Sequence, residues 1–144
     1  MRWEHVDLDA ALWTIPKGKN GKEHRVPLSP SAVALLNGLP RKGDIVFPGH
    51  RPDKPISKGA MQRVLAEMGR DVTTHGMRAS FKTWASERTH AAREVVEACL
   101  AHTISDALEA AYRRGDFLDK RRKLMEAWAD HCGTQATVPL KKRA

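Results

Sequence analysis

The sequence predicts an α+β fold, mainly α, with a helical core and a small antiparallel β-sheet near the N-terminal end. Three observations lead there. Two extended apolar runs flank an Asn-Gly pair early in the chain, apolar residues recur at helical spacing from Ser57 onward, and no internal repeat, low-complexity tract or Gly-rich phosphate loop interrupts the pattern.

The elements follow in order. Ala11–Pro16 and Glu23–Leu28 flank Lys19-Asn20-Gly21-Lys22, which reads as a β-hairpin with a basic tip. Ser29-Pro30 supplies an N-cap with proline at the first helical position. The helix it opens has Ala32, Val33, Leu35, Leu36 and Leu39 on its apolar face, and Pro40 stops it. Ile45-Val46-Phe47 is a short apolar run between turn residues, expected as a third strand, and a proline-rich loop follows to Pro55. Ser57 is expected to cap a helix burying Met61, Val64, Leu65 and Met68, and Thr74 one burying Met77, Phe81, Trp84 and Ala85. A further helix over residues 91–101 buries Val95, Val96, Cys99 and Leu100, and another begins near Ser105. The last, over 117–132, presents Leu118, Met125, Trp128 and Cys132. Residues 1–132 are thus expected to form one domain, and 133–144 a flexible basic tail ending in Lys141-Lys142-Arg143.

At 144 residues, with 41% hydrophobic and 29% charged residues, the chain has the size and composition of one globular domain. A formal charge of +8 favours a polyanionic partner, either nucleic acid or an acidic membrane. No apolar run approaches the roughly 20 residues of a spanning helix and no signal-peptide core follows Met1, so a cytoplasmic protein is expected. Cys99 and Cys132 lack zinc-ligand spacing and suggest no disulfide framework; both read as helix-face core residues. His5, His24, His50, His90 and His131 show no ligand spacing and read as incidental, although His24 lies inside the hairpin. No cofactor or metal is expected.

His75 and Arg78 stand three residues apart at the start of an expected helix, where one face carries both beside free backbone N–H groups. That pair admits two readings, an anion site or a solvated polar face opposite Phe81 and Trp84. Its context is Leu100-Ala101-His102-Thr103, followed ten residues after His102 by Tyr112 in Ala110-Ala111-Tyr112-Arg113-Arg114.

These blocks, the Thr74-His75-Gly76-Met77-Arg78 segment and the hairpin Lys19-Asn20-Gly21-Lys22-Glu23-His24-Arg25-Val26-Pro27-Leu28-Ser29 occur in an order and spacing that resemble the catalytic domain of the tyrosine recombinases, and most of all the phage and genomic-island integrases. The resemblance runs from Trp3 to Trp128. It implies the tyrosine recombinase catalytic-domain fold and site-specific DNA recombination and integration, by strand cleavage and rejoining at double-stranded attachment sites. Such reactions use a homotetramer on two DNA sites. Carried over, Tyr112 is the nucleophile that forms a 3′-phosphotyrosyl link, His75 the base, Arg78 the phosphate clamp, His102 a further hydrogen-bond donor to the phosphate, and Lys19 the acid for the departing 5′-oxygen.

Each role has a plainer rival. Lys17 and Lys22 compete with Lys19, His102 could cap a helix turn, and Tyr112 could be a core aromatic beside Leu108. The run Arg113, Arg114, Lys120, Arg121, Arg122 and Lys123 tracks a DNA backbone or marks a solvated face. A type IB topoisomerase relative would share the chemistry, but the hairpin and the Leu-Ala-His stretch argue against it.

The family's other catalytic arginine stands in a Gly-x-Arg-x-x-Glu-like segment shortly before the stretch matched here by Arg2-Trp3-Glu4, and Arg2 lies in the wrong local pattern to replace it. The resemblance therefore implies an N-terminally truncated catalytic domain, from a trimmed or misannotated start or a decayed gene, lacking the arm and core-binding domain that help clamp the duplex. Losing one preorganised donor costs roughly 10²- to 10³-fold in rate, so little activity is expected of this chain alone. The alternative is a noncatalytic DNA-binding remnant of an integrase.

Overall fold

A computed structural model describes residues 1–18, 21–51, 53–57, 59–102 and 115–135. The expected helix near Ser105 lies outside the described residues, as do Lys19 and Tyr112.

The described residues form an α+β fold, mainly α, with an antiparallel three-stranded meander ordered β1 (Val6–Asp7), β2 (Leu12–Ile15) and β3 (His24–Pro27). The β2–β3 hairpin pairs Thr14 with Arg25 and Ile15 with His24, so the connection spans residues 16–23. Within it Gly21 has φ +76°, a left-handed conformation that glycine adopts without a Cβ clash, and its N–H bonds the Gly18 carbonyl. The third strand is Val6–Asp7, pairing Val6 with Trp13, and not the expected Ile45–Phe47. Ile45 makes only an isolated bridge to Arg2, while Val46 donates its N–H to the Met1 carbonyl and buries its side chain. An apolar run this short signals burial without choosing its pairing.

Ser29 caps α1 (Pro30–Asn37) as expected, its hydroxyl accepting from the Ala32 N–H at 3.3 Å. Leu36 packs with Leu28 and Val46 against Trp3, Val6 and Trp13, but Leu35 is exposed. Four further helices follow among the described residues: α2 (Ala60–Glu67), α3 (Gly76–Arg88), α4 (Arg93–Cys99) and α5 (Leu118–Gln135). α5 runs past its expected end at Cys132. It packs on both β3 and α4, which ties the sheet to the helical core. That second core comprises Phe81, Ala85, Val95, Val96, Leu100 and Leu124. Trp128 sits edge-on to Phe81 with ring centroids 5.6 Å apart, a favourable quadrupole arrangement.

Several expected burials do not occur. Met61, Val64 and Met68 of α2 remain about half exposed, as does Met77, and Cys132 is exposed where a core position was expected. Helical periodicity defines an apolar face but says nothing about whether another element lies on it. Ser57 contributes only its backbone carbonyl, to the Ala60 N–H, and Gly59 occupies the cap position of α2. At α3 the capping hydroxyl is that of Thr73, not Thr74, accepting from the Gly76 N–H at 2.9 Å. Among the described residues no helix is long and apolar enough to cross a membrane.

Candidate active site

The site is assembled where the N-terminal end of α3 meets the C-terminal end of α4. His75 is exposed at the N-cap position of α3, and its carbonyl accepts from the Arg78 N–H at 3.0 Å. Arg78 lies in the first turn, and its guanidinium reaches across to α4. One Nη2 donates to the Leu100 carbonyl and lies 3.2 Å from His102 Nε2.

The end of α4 explains how His102 gets there. Ala101 adopts φ +53°, its N–H bonds the Ala98 carbonyl, and the His102 N–H bonds the Glu97 carbonyl at 3.0 Å. This pair of bonds is a Schellman motif, with Ala101 at the left-handed position that glycine normally fills. The turn directs His102 back over Glu97, whose Oε2 lies 2.5 Å from His102 Nδ1. The other carboxylate oxygen, Oε1, is 2.6 Å from Lys82 Nζ, one turn beyond Arg78 on α3. The Lys82 hydrogen bond, and after it the one from His102, holds the Glu97 carboxyl below its ordinary range against the opposing effect of burial.

A second charged group anchors the hairpin. Arg121 of α5 is buried, and its guanidinium bonds the Arg25 carbonyl and the Asp116 carbonyl, the latter at 3.3 Å, with Nη2 3.4 Å from His24 Nε2. Asp116 caps the entry to α5 by accepting from the Leu118 N–H at 3.2 Å, and it pairs with Arg25 at 2.9 Å. Burial, then the charges of Arg121 and Arg78, lower the His24 imidazole from its ordinary value, with Asp116 opposing. His24 thus lies against the buried Arg121 where the hairpin meets α5.

These contacts resolve part of the basic run. Arg121 faces the interior and Arg122 bonds the carbonyls of Ala10 and Ala11 at 3.1 and 3.2 Å, so both guanidinium groups are engaged within the protein. Lys120 lies over the Phe117 ring at 5.6 Å and Lys123 is exposed, while Arg113 and Arg114 lie outside the described residues.

Of the five site residues expected from the sequence, Arg78 and His102 are brought into contact, and His75 stands on the same helix end as Arg78. Lys19 and Tyr112 lie outside the described residues. Sequence reasoning missed Lys82, Glu97 and Asp116, and read Arg121 only as a member of the basic run. The first two carried a signal: Lys82 stands four residues after Arg78, and Glu97 five before His102. Among the described residues no group of three or more His, Cys, Asp or Glu side chains could hold a metal ion. An arginine beside an imidazole at a helix N-terminus is suited to holding a phosphate by charge-assisted hydrogen bonds.

Residues 1–118 match the model of the phage integrase family. Among curated proteins, the chain is 34% identical over 137 residues to the prophage integrase IntA of Escherichia coli K12, an alignment covering 90% of this chain and 33% of that protein. It is 35% identical over 153 residues to the integrase of Enterobacteria phage P4, covering 90% of the chain and 35% of the relative. With the tyrosine recombinase XerC of Xanthomonas campestris it shares 35% identity over 108 residues, 67% of this chain and 33% of the relative. The chain thus spans about a third of the length of these relatives. No solved structure is significantly similar to it. With a family match over most of its length and the Arg78–His102 pair in place on an α+β framework, the chain belongs to the phage integrase family and represents a tyrosine recombinase catalytic domain.

Proposed function

We propose that this domain serves site-specific DNA recombination, cutting and rejoining a phosphodiester through a 3′-phosphotyrosyl intermediate. The observation that carries the reading is the meeting of Arg78 and His102 at 3.2 Å, from two helices, beside the exposed His75. Arg78 offers donors to the nonbridging phosphate oxygens, where negative charge grows as the phosphorus becomes five-coordinate. A tyrosine hydroxyl titrates near about 10 and is largely protonated at neutral pH, so attack by Tyr112 needs a base, the role given to His75. As the tyrosyl O–P bond forms, the P–O5′ bond breaks and the departing oxygen takes a proton from Lys19. Rejoining runs the same steps backward from another 5′-hydroxyl. The partner is a duplex attachment site, and full recombination is expected to use four protomers on two such sites. The net charge of +8 suits a polyanion.

The test is a denaturing gel that detects protein covalently joined to an attachment-site duplex nicked near the cleavage position, so that rejoining is blocked. Adduct that disappears in Tyr112→Phe supports the reading. Equal adduct in that variant overturns the mechanism, and salt-sensitive duplex binding without adduct, even with the domain placed behind the N-terminal part of a full-length relative, would leave DNA binding alone as the function.

A further inference from the structure

We propose that Glu97 is a positioning residue for the phosphate site, holding His102 in the Nδ1–H tautomer so that Nε2 is the nitrogen presented beside Arg78. The inference rests on the recombination reading for its purpose, but its geometry stands apart from it. His102 Nδ1 lies 2.5 Å from Glu97 Oε2, and an ionised carboxylate only accepts, so Nδ1 is the donor. A neutral imidazole then carries its lone pair on Nε2, where Arg78 Nη2 donates to it from 3.2 Å. An imidazole in solution prefers the opposite arrangement, so the ring's state is set by its neighbour.

Glu97 is itself held. Lys82 Nζ grips its second oxygen at 2.6 Å, and the carboxylate side chain is only 15% exposed. Lys82 and Arg78 stand four residues apart on one face of α3, and Glu97 and His102 close the facing end of α4. The four side chains thus run Lys82–Glu97–His102–Arg78 across the two helices. When a phosphate oxygen replaces the Arg78 contact at Nε2, that nitrogen needs a proton to donate. The Glu97 carboxylate lies against the opposite side of the ring, where it balances the charge so formed. Carboxylates that hold the far nitrogen of a metal-bound histidine orient the ring in this way, and removing them typically costs about 10- to 100-fold.

Two measurements test this, the first on the 144-residue chain and the second on the same domain placed behind the N-terminal part of a full-length relative. The first reads the His102 ring nitrogens by long-range ¹H–¹⁵N correlation at about pH 8.5, well above the ordinary histidine value near 6.5. The Nδ1–H form is expected to dominate in the native chain and in Glu97→Asp, and its share to fall in Glu97→Ala, most of all when Arg78→Ala also removes the donor facing Nε2. A native ring that is mainly Nε2–H, or a ratio unmoved by Glu97→Ala, overturns the proposal. Should Glu97→Ala fail to fold, Glu97→Gln serves. A lone amide oxygen without net charge is expected to leave a weaker bias, and a native ratio there counts equally against the idea.

The second measures adduct formation on a nicked attachment-site duplex. Glu97→Ala is expected to slow it about 10- to 100-fold, with unchanged duplex affinity and substantial rescue by Glu97→Asp. Native rates in Glu97→Ala refute the role. If no protein forms adduct, even when the domain is placed behind the N-terminal part of a full-length relative, the recombination reading fails, while the tautomer ratio still decides the role of Glu97.

Discussion

Replacing Arg121 by methionine is the sharpest probe of how the hairpin is held against the helical core. The guanidinium is buried, donates to the Arg25 and Asp116 carbonyls, and lies 3.7 Å from the Asp116 carboxylate. Methionine fills similar space but donates nothing, which leaves a buried carbonyl acceptor at a cost of about 1–3 kcal/mol. Breaking a fully buried ion pair costs about 3–5 kcal/mol, but Asp116 is 38% exposed and keeps Arg25 at 2.9 Å, so the lower part of that range applies. Against this, Arg121 Nε is itself buried without a hydrogen-bond partner, and removing it relieves about 1 kcal/mol of desolvation. The net expectation is a loss of about 3–5 kcal/mol, which for a chain of this size lowers the melting temperature by roughly 10–20 °C. Thermal unfolding followed by circular dichroism and urea titration would measure it. Arg122→Met is the control: its two carbonyl bonds are only part-buried or exposed, and a shift of about 3 °C or less is expected. If Arg121→Met melts within about 1 °C of the native chain, or higher, the buried guanidinium is replaceable packing and the anchoring argument fails.

Arg78→Ala should reduce covalent adduct formation by about 10²- to 10³-fold or more, and a rate within tenfold of native would remove Arg78 from the phosphate site. Ala101→Gly should stabilise the chain by about 0.5–1 kcal/mol in urea titration, because glycine removes the Cβ penalty at φ +53°. Stability should also fall with pH in two windows. His24 is lowered in the folded chain, so below its ordinary value of about 6.5 the unfolded chain takes up a proton first, and stability declines until the depressed folded value is passed. Glu97 is lowered as well. Its contribution is present above about 4.5 and lost as pH falls through the folded value, so urea midpoints should flatten across the upper window in His24→Gln and the lower in Glu97→Gln.

Local signals were the legible ones. Ser29-Pro30 announced the cap of α1, and the extended runs around the Asn-Gly pair announced the hairpin, because both depend on residues close in sequence. Phe81, Ala85, Val95, Val96 and Leu100 were readable as core from helical spacing, and they are buried. The same spacing failed at Met61, Val64 and Met68, where the described residues leave the apolar face open. In the site, His75, Arg78 and His102 were recognisable by motif. Glu97 and Lys82 were not, since an acidic and a basic residue on two amphipathic helices look like ordinary solvated charge.

By itself the sequence determined the hairpin, the described helices and the family, because each is encoded in short-range spacing and ordered motifs. Only the tertiary structure decided which charges turn inward. Arg121 and Arg122 sit in a basic run like any exposed one, yet both are engaged within the protein, because β3 and the turn after β1 lie where α5 can reach their carbonyls. Likewise the ordering of His102 depends on a carboxylate whose own anchor stands on another helix, a relation created when α3 and α4 pack together.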